Sequence, residues 1–97
     1  QEHIASECLR TALHLLRAKI QQHQQVHRRG DLPLAIGCTL EGDLHDIPSL
    51  MVELTLLMEG WRTLFLGANV PVTSLVRAIA DRSPQLVWVS HTYIAQI

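Results

Sequence analysis

Leu34-Ala35-Ile36-Gly37-Cys38-Thr39-Leu40-Glu41-Gly42-Asp43-Leu44-His45-Asp46-Ile47-Pro48 carries the reading of the whole chain. Pro33 opens the apolar run 34–38, which reads as a buried central strand with a glycine at 37 where something packs closely. A helical pattern follows over 48–59, and a proline is tolerated in its first turn because no backbone donor is required there. Between strand and helix lies a loop carrying His45, flanked by Asp43 and Asp46. Ligands of open α/β sheets bind at the carboxyl ends of the strands. His45 is therefore the first candidate functional residue.

Working outward, the helix after the loop is expected to turn Leu50, Met51, Leu54, Leu57 and Met58 inward and to stop at Gly60. Residues 61–66 read as a second strand ending at Gly67-Ala68-Asn69, and a helix from 72 or 73 carries Leu75, Val76, Ile79 and Ala80 inward. Ser83-Pro84 breaks that helix, and 85–90 is a third strand. Upstream, Ile4, Cys8, Leu9, Ala12, Leu13, Leu15, Leu16 and Ile20 mark an amphipathic helix. It has no clean N-cap, so the chain is expected to enter it in mid-helix. Residues 21–31 lose the stripe and read as a polar linker, helical at most in its first turn, with His23 and His27 as solvated side chains.

The order is helix, then strand-helix-strand-helix-strand with short connections. That implies parallel strands with right-handed crossovers: an α/β fold in which an N-terminal helical segment precedes a doubly wound, flavodoxin-like, Rossmann-type sheet. Such sheets usually have about five strands, and three are seen here. The third would leave an exposed apolar edge, so the sheet is expected to continue beyond Ile97.

Composition narrows the function. The 97 residues are 47% apolar and 18% charged with a net charge of −1, which is globular and without the basic footprint of a nucleic-acid binder. No apolar run approaches the ~20 residues of a membrane span. Cys8 and Cys38 form no disulfide framework; small buried residues in a cytoplasmic protein are the expectation. No nucleophile elbow or phosphate-binding glycine loop is present.

The fold puts three loops on one rim: Asp43, His45 and Asp46 after the first strand, Gly67-Ala68-Asn69 after the second, and Ser90-His91-Thr92 after the third. A neutral imidazole is a good ligand for cobalt, iron or zinc, and Asp43 is placed to take its other ring proton. One histidine cannot hold a bare zinc. The choice left is a metal carried in its own macrocycle, or no metal.

With these residues in view, 42–48 (Gly-Asp-Leu-His-Asp-Ile-Pro), Gly60, 66–71 (Leu-Gly-Ala-Asn-Val-Pro) and Ser90-His91-Thr92 resemble the cobalamin-binding Rossmann-type domain, whose signatures are Asp-x-His-x-x-Gly and, about forty residues on, Ser-x-Leu. The resemblance covers 34–97. It departs at Pro48, where the family has glycine, and at Thr92, where it has leucine. It implies that His45 is the lower axial ligand to cobalt, that Asp43 hydrogen-bonds it, and that the displaced nucleotide tail runs into the sheet past Ser90 and Thr92, with Asp46 also at the cofactor. Glu2-His3-Ile4-Ala5-Ser6-Glu7 is similar to the Glu-His helix that caps adenosylcobalamin in CarH-type light-sensing regulators of the MerR family. By that resemblance Glu2 and His3 face the upper side of the ring, 1–29 is the end of a helical cap bundle, and 30–97 holds the first three strands of the cobalamin-binding domain.

The function the resemblance implies is the sensory domain of a transcriptional regulator. It would hold adenosylcobalamin (methylcobalamin being the alternative), respond to light, form a homo-oligomer, and reach DNA only through a separate domain. Two other readings stand beside it: the corrinoid carrier of a methyltransferase or mutase, and a degenerate, cofactor-free interaction domain.

Overall fold

A computed structural model describes residues 2–27 and 31–91, apart from the side chains of Glu2, His3 and His27. The elements follow as α1 (Glu2–His27), β1 (Leu34–Thr39), α2 (Ile47–Met58), β2 (Arg62–Phe65), α3 (Val72–Arg82) and β3 (Leu86–Ser90). The three strands are parallel in the order β2-β1-β3. β1 is central, as its unbroken apolar run requires, with Ala35, Ile36 and Cys38 completely buried. The chain steps from β1 to β2 on one side, then crosses back over β1 to β3. Two crossovers in opposite directions put α2 and α3 on opposite faces, which is the doubly wound arrangement.

The two faces differ in chemistry. Ile36 and Cys38 point to the α3 side, where Val70, Leu75, Ala78 and Ile79 join them in an apolar core. On the α2 side Leu50, Leu54 and Leu57 are buried beside polar groups: Ser49, Thr39 and Glu53. Glu53 is 1% exposed, and its carboxylate accepts from Thr63 Oγ1 at 2.7 Å and from Arg17 Nη1 at 3.3 Å.

Several apolar positions sit differently from expectation. Met51 and Met58 are exposed, at 56% and 72%. α2 is apolar nearly all round, but α1 and the sheet cover only the stripe of Leu50, Leu54 and Leu57, and the methionines flank it. In α3 the inward stripe is Leu75, Ala78 and Ile79, leaving Val76 and Ala80 exposed. Cys8 is exposed as well, whereas Cys38 is buried and burial raises its thiol pKa.

The expected polar linker from residue 21 is instead the continuation of α1, which stays helical to His27. Glutamines are good helix formers, and Gln24 anchors this last stretch by donating to the carbonyls of Leu57 and Trp61 at 3.1 and 2.9 Å. Arg10, Arg17 and Gln24 recur every seven residues on one face of α1. Arg10 meets Asp46 and Arg17 meets Glu53, each 36 positions on, so α1 and α2 run parallel and in step. Much of the apolar stripe of α1 therefore faces away from α2, with Ile4 69% and Leu15 62% exposed, while Leu13 and Ile20 are half-buried, Ile20 beside Leu57 and Met58. Among the described residues no helix is long and apolar enough to cross a membrane.

Candidate functional site

The site is built on the loop that leaves β1. Gly42 takes a φ of +96°, a conformation that favours glycine, and lets the chain double back so that the Asp43 amide donates to the Leu40 carbonyl at 3.0 Å. Asn69, after β2, clamps this turn. It sits at φ 60°, which asparagine tolerates better than most residues. Its amide donates to Thr39 Oγ1 at 2.9 Å and to the Asp43 carbonyl at 3.0 Å. Its side-chain oxygen accepts from the Gly42 amide at 2.8 Å. The buried Thr39 hydroxyl donates to the Asp43 carbonyl.

So braced, Asp43 points inward with its side chain 1% exposed. Oδ1 accepts from the His45 amide at 2.9 Å and lies 3.3 Å from His45 Nδ1; Oδ2 lies 3.7 Å from His91 Nδ1. The His45 side chain is 79% exposed. With Nδ1–H directed at the carboxylate, the tautomer is set and Nε2 becomes the nitrogen that would ligate a metal. Loops after β1 and β3 meet here, at the point where the strand order reverses.

The first turns of α1 stand over this loop. Ser6, Arg10, His45, Asp46, Ile47 and Pro48 line a cleft of about 380 Å³, towards the small end for a ligand site. Pro48 is exposed in the first turn of α2, which also has no side-chain cap. Asp46 is committed to α1: its Oδ1 accepts from Arg10 Nε at 2.9 Å. The Arg10 pKa is raised, chiefly by that hydrogen bond, against a smaller opposing effect of burial, with Glu7 adding to it.

The structure thus brings Asp43 and His45 together, and sets Asp46 at the loop's edge in an ion pair with Arg10. Ser90 stands opposite Thr39 at the end of β3, and its Oγ is buried without a hydrogen-bond partner among the described residues. The side chains of Glu2 and His3, and Thr92, lie outside the described residues. Three residues acquire parts that sequence reasoning did not give them: Asn69 as the clamp, His91 as the second imidazole at Asp43, and Arg10 as the tie to α1. Only Asn69 carried a signal, an asparagine between glycine and proline after a strand. Among the described residues no three His, Cys, Asp or Glu side chains gather as a metal-binding set.

A helix followed by a parallel, doubly wound α/β sheet is an arrangement that a cobalamin-binding protein of known structure shares. A cobalamin-binding protein from Desulfitobacterium hafniense matches it in crystal structure with a TM-score of 0.63 and 26% identity, over 90% of this chain and 41% of that one. In sequence the chain is 37% identical over 54 residues to the trimethylamine corrinoid protein of Methanosarcina barkeri, a match spanning 56% of this chain and 24% of the relative. The chain thus spans about a quarter of the curated relative it matches. No family model matches.

Proposed function

We propose that this chain holds a corrinoid on the rim of its sheet, with His45 Nε2 as the lower axial ligand to cobalt. The observation that carries this is the His45–Asp43 pair: an imidazole 79% exposed, its Nδ1 3.3 Å from a carboxylate that is itself 1% exposed. A buried acceptor on one ring nitrogen raises the basicity of the other and fixes the ring's direction. The Ser90 Oγ supports the same reading, because a buried hydroxyl with no partner among the described residues suits a polar group brought by a ligand. The ring would lie between His45 below and the first turns of α1 above.

Bound there, a corrinoid supplies an organometallic cobalt–carbon bond or a redox-active cobalt. The chain's own part is to orient and to exclude. Asp43 holds the His45 proton at Nδ1, Asn69 fixes the loop, and Arg10 keeps α1 over the cleft.

Two finer readings follow. The trimethylamine corrinoid protein favours a carrier role. A light-responsive, adenosylcobalamin-binding regulatory domain rests on the resemblance of Glu2-His3 alone.

The test is a visible spectrum in the dark after mixing the protein with adenosylcobalamin and desalting, beside His45→Ala. Retained colour with a base-off, His-on spectrum that His45→Ala loses is the expected result. An unchanged spectrum in His45→Ala refutes the ligand, and no retained colour in the parent protein refutes the site. Green light followed by a mass measurement then separates the two finer readings, since only the sensory one expects a change of oligomeric state.

A further inference from the structure

Trp88 faces α2 from the middle of β3, two residues before Ser90 and on the same face of the strand. Its indole is held on three sides. Below it is Gly37, its neighbour across the β1–β3 pair, where an added Cβ would overlap the ring at Cε2, Cδ2 and Cζ2. Above it is Ser49 of α2, whose Oγ accepts from Trp88 Nε1 at 2.9 Å. Beside it is Phe65 of β2, stacked at 6.4 Å between ring centroids and 9° between planes. Phe65 and Trp88 both pair with Gly37, one from each side, and only a residue without a side chain between them lets the rings meet.

We infer that Trp88 is a specificity-determining residue: it shuts the α2 face of the sheet to the nucleotide tail of a cobalamin, so the site takes the corrin ring with its tail outside the domain or lacking altogether. This rests on the corrinoid reading above. In a cobalamin the dimethylbenzimidazole and its ribose phosphate hang from the lower side of the ring. When a histidine takes the lower position, that base is displaced but stays tethered on the same side. Among the described residues it has two places to go: inward between α2 and the sheet, or outward over the surface.

The inward path along this face runs from Ser90 to Trp88, a strand distance of about 7 Å. There it ends on a packed indole. Turning the indole aside would break its stack and leave Nε1–H without its buried acceptor. Ser90 Oγ, buried and without a hydrogen-bond partner among the described residues, would suit something short and polar, such as the amide and hydroxyl of the aminopropanol arm that remains when a corrinoid has no nucleotide. The ligand class that fits is a cobinamide-type corrinoid, or a cobalamin with its tail in solvent.

Titration of the protein with aquacobalamin and with diaquacobinamide, followed in the visible spectrum, tests this. The expected result is cobinamide binding at least as tightly as cobalamin, whose own base must first leave the cobalt. In Trp88→Ala, cobalamin should gain tenfold or more over cobinamide as the path opens. Trp88→Leu, which keeps an apolar side chain in place, serves the same purpose if Trp88→Ala does not fold. A greater than threefold preference of the parent protein for cobalamin overturns the inference. So does an unchanged ratio in a folded Trp88 variant. Failure of both corrinoids to bind refutes the corrinoid reading itself, and is distinguishable from either.

Discussion

Gly37→Ala should be among the most damaging single-methyl additions possible in this chain. The new Cβ would fall within the Trp88 ring, so the indole must leave its place or the strands must part. Displacing it gives up the stack on Phe65, about 1 kcal/mol, and the buried Nε1–Ser49 hydrogen bond, roughly another 1 kcal/mol. Overpacking adds about 1–3 kcal/mol. The expected loss is about 3–5 kcal/mol, a large fraction of the roughly 5–15 kcal/mol by which domains are stable. Urea unfolding followed by circular dichroism measures it, as a fall in midpoint at unchanged slope. The decisive form is a double-mutant cycle. In a Trp88→Leu background the methyl has room, and Gly37→Ala should then cost about 1 kcal/mol or less, a coupling of at least about 2 kcal/mol between the two positions. The reasoning fails if Gly37→Ala is nearly neutral alone, or costs the same in both backgrounds.

Two further predictions concern the loop and the thiols. Asn69→Ala removes the acceptor for the Gly42 amide and places alanine at φ 60°; it should cost about 1–3 kcal/mol in a thermal melt and speed hydrogen exchange at Gly42. Asn69→Gly, which keeps the backbone conformation, should recover part of that loss. Cys8 should react with a thiol reagent in the folded protein while Cys38 stays protected until denaturant is added, because burial both hides the Cys38 thiol and raises its pKa, lowering its thiolate fraction at any given pH. Equal rates in the folded protein would contradict the placement of β1.

The alternation of elements and the central position of β1 were legible in the sequence because each rests on a local signal: Pro33, Gly60, Ser83-Pro84 and an unbroken apolar run. The His45–Asp43 pair was legible for the same reason, a two-residue spacing on a strand-to-helix loop. What escaped depends on residues far apart in the chain. Gly37 could be read as a point of close approach, yet nothing local says that Trp88 is what approaches, since the β1–β3 register exists only once the sheet forms. The ties of Arg10 and Arg17 to carboxylates 36 positions on are of this kind too. The methionines of α2 escaped for another reason. On a helix apolar almost all round, periodicity cannot say which stripe meets the sheet. The end of α1 outruns its apolar stripe because Gln24 holds its last turns through carbonyl oxygens rather than through apolar burial, which periodicity does not register.

The heptad of Arg10, Arg17 and Gln24 has a mechanical consequence. A seam zipped by leucines resists parting because each step bares oily surface to water. Here the long-range ties are guanidinium to carboxylate and amide to carbonyl, groups that water receives readily once they part. Of the carboxylates, Glu53 has a second donor in Thr63, so release of Arg17 does not leave it wholly unsatisfied. The half-buried Arg10–Asp46 pair is screened in part as ionic strength rises, whereas Arg17–Glu53, with its carboxylate 1% exposed, is screened far less. α1 is thereby joined to the sheet unit the way a clasp joins two rigid parts, its Arg10 end easier to open than its Arg17 end. Salt should loosen the Arg10 end first, without loosening the core beneath.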